Sequence, residues 1–192
     1  MKVNFEDDLK DSCDQAAKFL RCKLYEWRKK SKIDDEIYSG EREYVSEVYR
    51  LLINRNNSYK YTIFIDYFPY SHGKQRGEKS VRLSKDGKNE GLIPDLVYSD
   101  GPENINLVEF KVVVKFKKRG DDSLLYAYDN NDLKDVRKKL DRYNESIISK
   151  FIVVAYTGDL NYKDGTKFPL DLLEEQVRGK FGKSDKTKVI VC

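Results

Sequence analysis

Three features of the 192-residue sequence predict an α/β domain: a central mixed β-sheet flanked by helices, with an additional N-terminal helix. Helix-like and strand-like periodicities alternate along the chain, ending in strand, helix, strand, helix, strand. Two apolar, β-rich runs separated by five turn-forming residues, Asp100 to Asn104, carry a hairpin signature. Phe151 to Tyr156 is an uninterrupted apolar run, short enough to be a strand buried on both faces. Hydrophobic residues make up 39% of the chain, which at this length is enough for one buried core.

The elements follow in order. Asp7 to Lys30 places Leu9, Cys13, Ala16, Ala17, Leu20, Leu24 and Trp27 at three- and four-residue steps, the period of an amphipathic helix. A second helix is expected from Ile37 to Asn54, with Ile37, Tyr44, Val45, Val48, Leu51 and Leu52 on one stripe. Tyr59 to Phe68 is β-branched and aromatic, hence a strand, and Pro69 stops it. Tyr70 to Gly91 is polar and glycine-containing and reads as a long loop, with a short strand at Ser80 to Ser84. Ile93 to Ser99 and Ile105 to Phe116 form the hairpin, and a polar stretch around Gly120 follows. From Asp132 to Ile147, Leu133, Val136, Leu140, Tyr143 and Ile147 share one helical face, with Lys134, Lys138, Lys139 and Arg142 on the other side. The strand Phe151 to Tyr156, a helix from Leu170 to Phe181 opened by Pro169, and a strand from Lys188 to Cys192 complete the chain. Residues 1–192 are expected to form a single domain, with 1–33 as a helical extension, 37–156 as the core and 157–192 as a C-terminal helix and strand.

Composition excludes several chemistries. One histidine, His72, rules out three-His zinc and two-His iron sites, and its setting in Ser71-His72-Gly73 suits a loop residue without catalytic duty. Cys13, Cys22 and Cys192 are an odd number without a C-x-x-C pair, so neither a disulfide framework nor a zinc ribbon is encoded. No apolar run approaches the roughly 18 residues of a membrane span, and Met1 to Lys10 lacks the order of a signal peptide. A reducing cytoplasm is the expected compartment, with no membrane partner. Catalysis in such a chain must lean on carboxylates, lysines and a metal.

The hairpin supplies them. If Ser99 faces Ile105 across the loop, stepping back four positions on one strand and forward four on the other brings Asp95 opposite Glu109. Facing residues have Cβ atoms roughly 4.5–5.5 Å apart. Lys111 projects from the same face, flanked by Leu107 and Val113, while Val108, Phe110, Val112 and Val114 point to the opposite, apolar side. Two facing carboxylates repel, so a positive charge is expected between them. A divalent cation of the Mg²⁺ type, with oxygen ligands at about 2.0–2.1 Å, would supply it; the alternative is an internal salt bridge from Lys111. Glu41 falls inside the apolar stripe of the second helix, and Glu47 on its shoulder. An inward carboxylate needs a metal or a cation, although Glu41 could also simply favour the helix dipole from the first turn.

Pro94-Asp95 followed by Glu109-Phe110-Lys111 in a β-hairpin resembles the PD-(D/E)xK motif of the restriction-endonuclease-like nuclease superfamily. The segment Gly40-Glu41-Arg42-Glu43-Tyr44-Val45 is similar to the opening of the acidic helix in archaeal Holliday-junction resolvases of that superfamily. The resemblance covers about residues 37 to 156 and implies a restriction-endonuclease-like core. It implies that Asp95, Glu109 and the Phe110 carbonyl bind Mg²⁺, with Mn²⁺ as a substitute, and that Glu41, or less securely Glu47, completes the site. Lys111 would position or deprotonate the attacking water. The implied activity is a metal-dependent hydrolysis of phosphodiesters, with DNA as the expected substrate and RNA as the alternative. A catalytically silent nucleic-acid-binding or assembly subunit that keeps the fold is the competing expectation.

A formal charge of +4 gives no global basic field, so nucleic acid would be held by local patches. These are the loop carrying Lys74 and Arg76; Lys115, Lys117, Lys118 and Arg119 after the second hairpin strand; and Lys138 and Arg142 on the following helix. One site cuts one strand, so cleavage of a duplex points to a homodimer.

Overall fold

A computed structural model describes residues 5–31, 40–56, 62–65, 94–99, 105–113, 116–119, 123–126, 130–143, 147–157, 170–181 and 187–192. Helix α1 (Phe5–Ser31) and helix α2 (Glu41–Arg55) precede five strands, β1 (Thr62–Ile65), β2 (Leu96–Ser99), β3 (Ile105–Val113), β4 (Phe116–Arg119) and β5 (Ser123–Tyr126). Helix α3 (Asn130–Arg142), strand β6 (Ser149–Tyr156), helix α4 (Leu170–Phe181) and strand β7 (Thr187–Val191) follow. Five strands form one mixed sheet in the order β1-β2-β3-β6-β7, and β4 and β5 form a separate two-stranded sheet. β2 runs antiparallel to both β1 and β3, whereas β3, β6 and β7 run parallel, as the helical connections between them require.

The sheet separates two apolar cores. On one side α1 and α2 pack Leu9, Cys13, Leu20, Tyr44, Val48 and Leu52 against Val108, Phe110, Phe151 and Val153. On the other side Val136, Leu140 and Tyr143 join Leu173, Val177 and Phe181 over Leu107, Ile152 and Val154. The alternation along β3 is therefore the expected one, with Leu107, Glu109 and Lys111 on the α3 side and Val108, Phe110 and Val112 on the α2 side.

Helix α1 is not an extension. Leu9, Cys13, Ala16 and Ala17 have no solvent exposure, the Phe5 ring stacks on Tyr98 with centroids 3.7 Å apart, and Arg21 Nη1 donates to the Tyr156 carbonyl at 2.8 Å. Its apolar stripe is the lid of one core rather than an accessory surface.

Helix α2 starts later than its periodicity predicts. Gly40 sits at φ 73°, a left-handed conformation that glycine adopts without strain and that no right-handed helix can run through. Glu41 thereby becomes the first residue of α2, which matters for the site below.

Helix α3 stops at Arg142 although Tyr143 and Ile147 continue its apolar pattern and are both buried. The ammonium of Lys150, on β6, donates to the carbonyls of Leu140 (2.8 Å) and Tyr143 (3.3 Å), satisfying acceptors that the helix end leaves open. β3 likewise ends at Val113, short of the expected Phe116, and the stretch around Gly120 connects the β4–β5 hairpin. Tyr59 to Phe68 is described only from Thr62 to Ile65, and the loop from Tyr70 to Gly91, with its expected strand and His72, lies outside the described residues. Among the described residues no helix is long and apolar enough to cross a membrane.

Candidate active site

The β2–β3 register is the one expected, with Ser99 facing Ile105 and Leu96 facing Val108. The strand pairing stops there, so Asp95, one residue before β2, stands at the position facing Glu109 while the edge of β3 beyond Val108 is free of β2. Its backbone N–H groups are taken by side chains instead. Asp95 Oδ2 accepts the Phe110 N–H at 2.7 Å, and Glu41 Oε2 accepts the Val112 N–H at 3.3 Å. Alternate residues of a strand point their N–H to the same side, so two carboxylates continue the ladder where a strand would otherwise run.

Glu41 reaches this edge because Gly40 starts the helix there. From the first turn of α2 its carboxylate also meets the Lys111 ammonium, at 3.4 and 3.5 Å. Helix dipole and cation thus act on Glu41 together. Lys111 is accordingly paired with Glu41, not with Asp95 or Glu109 as an internal salt bridge across the hairpin would require.

Glu109 is the most enclosed acid among the described residues, with 2% of its surface exposed. Tyr143 donates its hydroxyl to Oε1 at 2.5 Å, and Lys139 donates its ammonium to Oε2 at 2.6 Å. Burial and then the negative charge of Asp95 push its carboxyl up to about 7, against the pull of Lys139 and Tyr143. The same burial raises Asp95, partly offset by the Phe110 N–H and the Lys139 charge. Tyr143, buried against Glu109, is held well above the usual phenol range and stays a proton donor.

Compared with family models, curated proteins and solved structures, the chain gives no match.

The site therefore rests on its own geometry. The structure brings Asp95, Glu109, Phe110, Lys111 and Glu41 together along β3 where the β2 pairing stops. It does not bring Glu47 there. Six residues along α2, Glu47 is rotated by roughly 120° from Glu41. It forms a bidentate pair with Arg50 at 2.6 and 2.9 Å, which lowers its carboxyl, and it lines a groove with Phe19, Lys23 and Arg42 between α1 and α2. Lys138 and Arg142 face solvent on the outer side of α3. Lys117, Lys118 and Arg119 lie on β4, while Lys74, Arg76 and Lys115 lie outside the described residues.

Lys139 and Tyr143 belong to the site although the motif does not contain them. The signal was available in α3, where Lys139 falls about 100° from Leu140 but only about 40° from Tyr143. It is on the shoulder of the apolar stripe, not on the solvated face with Lys138.

As a donor set, Asp95 and Glu109 suit a hard divalent cation: a half-buried and a buried carboxylate repel each other, and Mg²⁺ is held by one or two such groups plus water. Among the described residues Asp95 Oδ1 carries no hydrogen bond, and the Phe110 carbonyl shares the edge of its own N–H, beside Asp95. No group of three acidic, His or Cys side chains gathers among the described residues, because Glu41 is turned to Lys111.

Proposed function

We propose that the chain is a metal-dependent nuclease, hydrolysing phosphodiesters of DNA on a restriction-endonuclease-like core. The observation that carries this reading is the placement of Asp95, half-buried, against the buried Glu109, the two repelling each other, with Lys111 beside them on β3 beyond the end of the β2 pairing. A pair of acids forced together out of water is costly unless charge chemistry depends on it. The order α2, three antiparallel strands, α3 and a parallel fourth strand supports the core assignment.

Asp95, Glu109 and the Phe110 carbonyl would hold the cation. Bound there, it would supply Lewis-acid charge neutralisation and make water more acidic, without any histidine. Lys111 directs positive charge to where negative charge builds at phosphorus, and Glu41 orients it from α2. Tyr143 fixes the Glu109 carboxylate by donating its proton to Oε1. Cleavage of a duplex would take two copies of the chain.

A second reading, a silent nucleic-acid-binding subunit, is favoured by the fact that Glu109 and Lys111 are already paired within the protein. One panel decides between them. Linear, supercoiled, single-stranded and branched DNA, and RNA, are incubated with Mg²⁺ or Mn²⁺ and the wild type, Asp95→Ala or Lys111→Ala. Cation-dependent cleavage should fall by at least about a hundredfold in both variants, the scale of losing one group that stabilises transition-state charge. Binding without cleavage in all three proteins supports the silent subunit, and neither binding nor cleavage refutes both.

A further inference from the structure

We infer that Lys139 is the resident counter-cation of this site, and that a divalent ion entering between Asp95 and Glu109 does so by displacing its ammonium. The inference rests on the metal-dependent reading above and adds to it how the site holds itself together before the ion arrives.

The charged and titratable groups around Glu109 among the described residues are Asp95, Lys139 and Tyr143, with Glu41 and Lys111 next to them at the edge of β3. Tyr143 is neutral and cannot balance a second acid. Lys111 carries the right charge but is held by Glu41. Among the described residues Lys139 is the one cation paired with Glu109, at 2.6 Å, and its charge also reaches Asp95.

Its mounting suits displacement. The Glu109 side chain is 3% exposed and fixed in a central strand, whereas Lys139 is 25% exposed on a helix that borders solvent. A lysine stem has four rotatable carbons, so the ammonium can swing out to water without moving α3. A divalent ion brings two charges to two carboxylates where the ammonium brings one. Ion and ammonium compete for Glu109 Oε2, so the lysine weakens cation binding while stabilising the empty fold.

The test uses the full chain stripped of metal with a chelator, then titrated with Mn²⁺ by calorimetry at pH 8.5, where Glu109 is ionised. Lys139→Gln, which keeps a donor but not the charge, should bind Mn²⁺ about tenfold or more tightly than wild type, a modest effect for removing a neighbouring unit charge. Lys139→Arg should behave as wild type. The metal-free Lys139→Gln protein should melt lower than wild type and gain more from Mn²⁺. A purely structural lysine would lower the melting point but leave affinity unchanged, and that result overturns the inference while leaving the nuclease reading intact. No Mn²⁺ binding by any of the three proteins overturns both. If Lys139→Gln does not fold, the wild type still answers: titration with Mg²⁺ must shift the ¹³Cε signal of Lys139, assigned by its loss in Lys139→Arg. An unmoved signal at saturation refutes displacement.

Discussion

Glu109 carries a charge that its surroundings oppose, and this has a consequence for stability before any ligand is present. In the unfolded chain its carboxyl has the ordinary value of 4.5, whereas in the fold it sits at about 7. Between those values the folded protein holds a proton that the unfolded chain has released, so stability must fall as pH rises through this window. The contribution is fully present below pH 4.5 and lost above 7. Asp95, raised for the same reason of burial, adds with the same sign at lower pH. With a chelator present, the urea midpoint of the wild type should therefore drop more between pH 5 and pH 8 than that of Glu109→Gln. Parallel pH profiles for the two proteins would falsify the assignment of this strain to Glu109. Much of this was legible beforehand, since a five-residue loop and strict alternation are enough to put Asp95 opposite Glu109. The pairing of Lys111 with Glu41 was not, because it depends on β2 stopping at Leu96 and on the left-handed Gly40 starting α2 at the next residue.

At the scale of elements, α1 shows what periodicity conveys and what it omits. The three- and four-residue spacing identifies an apolar stripe, but a stripe does not say what covers it, and an appendage and a core helix share the same pattern. The structure places Leu9 in the core with no exposed surface. Leu9→Ala should therefore cost about 2–5 kcal/mol in chemical denaturation, the range for emptying a packed leucine site. A cost below about 0.5 kcal/mol, the range of surface substitutions, would return α1 to the status of an extension. The end of α3 was hidden for a different reason. Its apolar pattern runs on to Ile147, and the carbonyls of Leu140 and Tyr143 at its end are met by a tertiary contact, the Lys150 ammonium. That contact also positions the last turn of α3, from which Lys139 and Tyr143 reach Glu109. β4 and β5 are not legible in the sequence, because four-residue strands separated by Gly120, Asp121 and Asp122 carry too little alternation to stand out from a polar stretch.

Across the whole molecule, a formal charge of +4 on 192 residues gives weak steering, so any affinity for DNA must come from a small number of phosphate contacts. Two patches compete for that role. Lys138 and Arg142 are exposed on α3, about 100° and about 60° around the helix from Lys139. Lys138 is 76% exposed and paired with Asp135 at 3.0 Å, a surface pair weak enough for a phosphate to displace. The second group, Lys117, Lys118 and Arg119, is on β4, the strand after β3 in the sequence. A lysine or arginine that touches phosphate releases about 0.9 of a counterion when it binds, so the slope of log affinity against log salt counts such contacts. Lys138→Gln with Arg142→Gln should make that slope shallower by about 2 if the DNA lies across α3. The triple change on β4 should do so by about 3 if it lies along the exit of β3. The variant that flattens the slope more identifies which of the two groups meets phosphate. An unchanged slope in both variants would remove both groups from the interface and leave Lys74, Arg76 and Lys115 among the basic residues that the sequence offers for it.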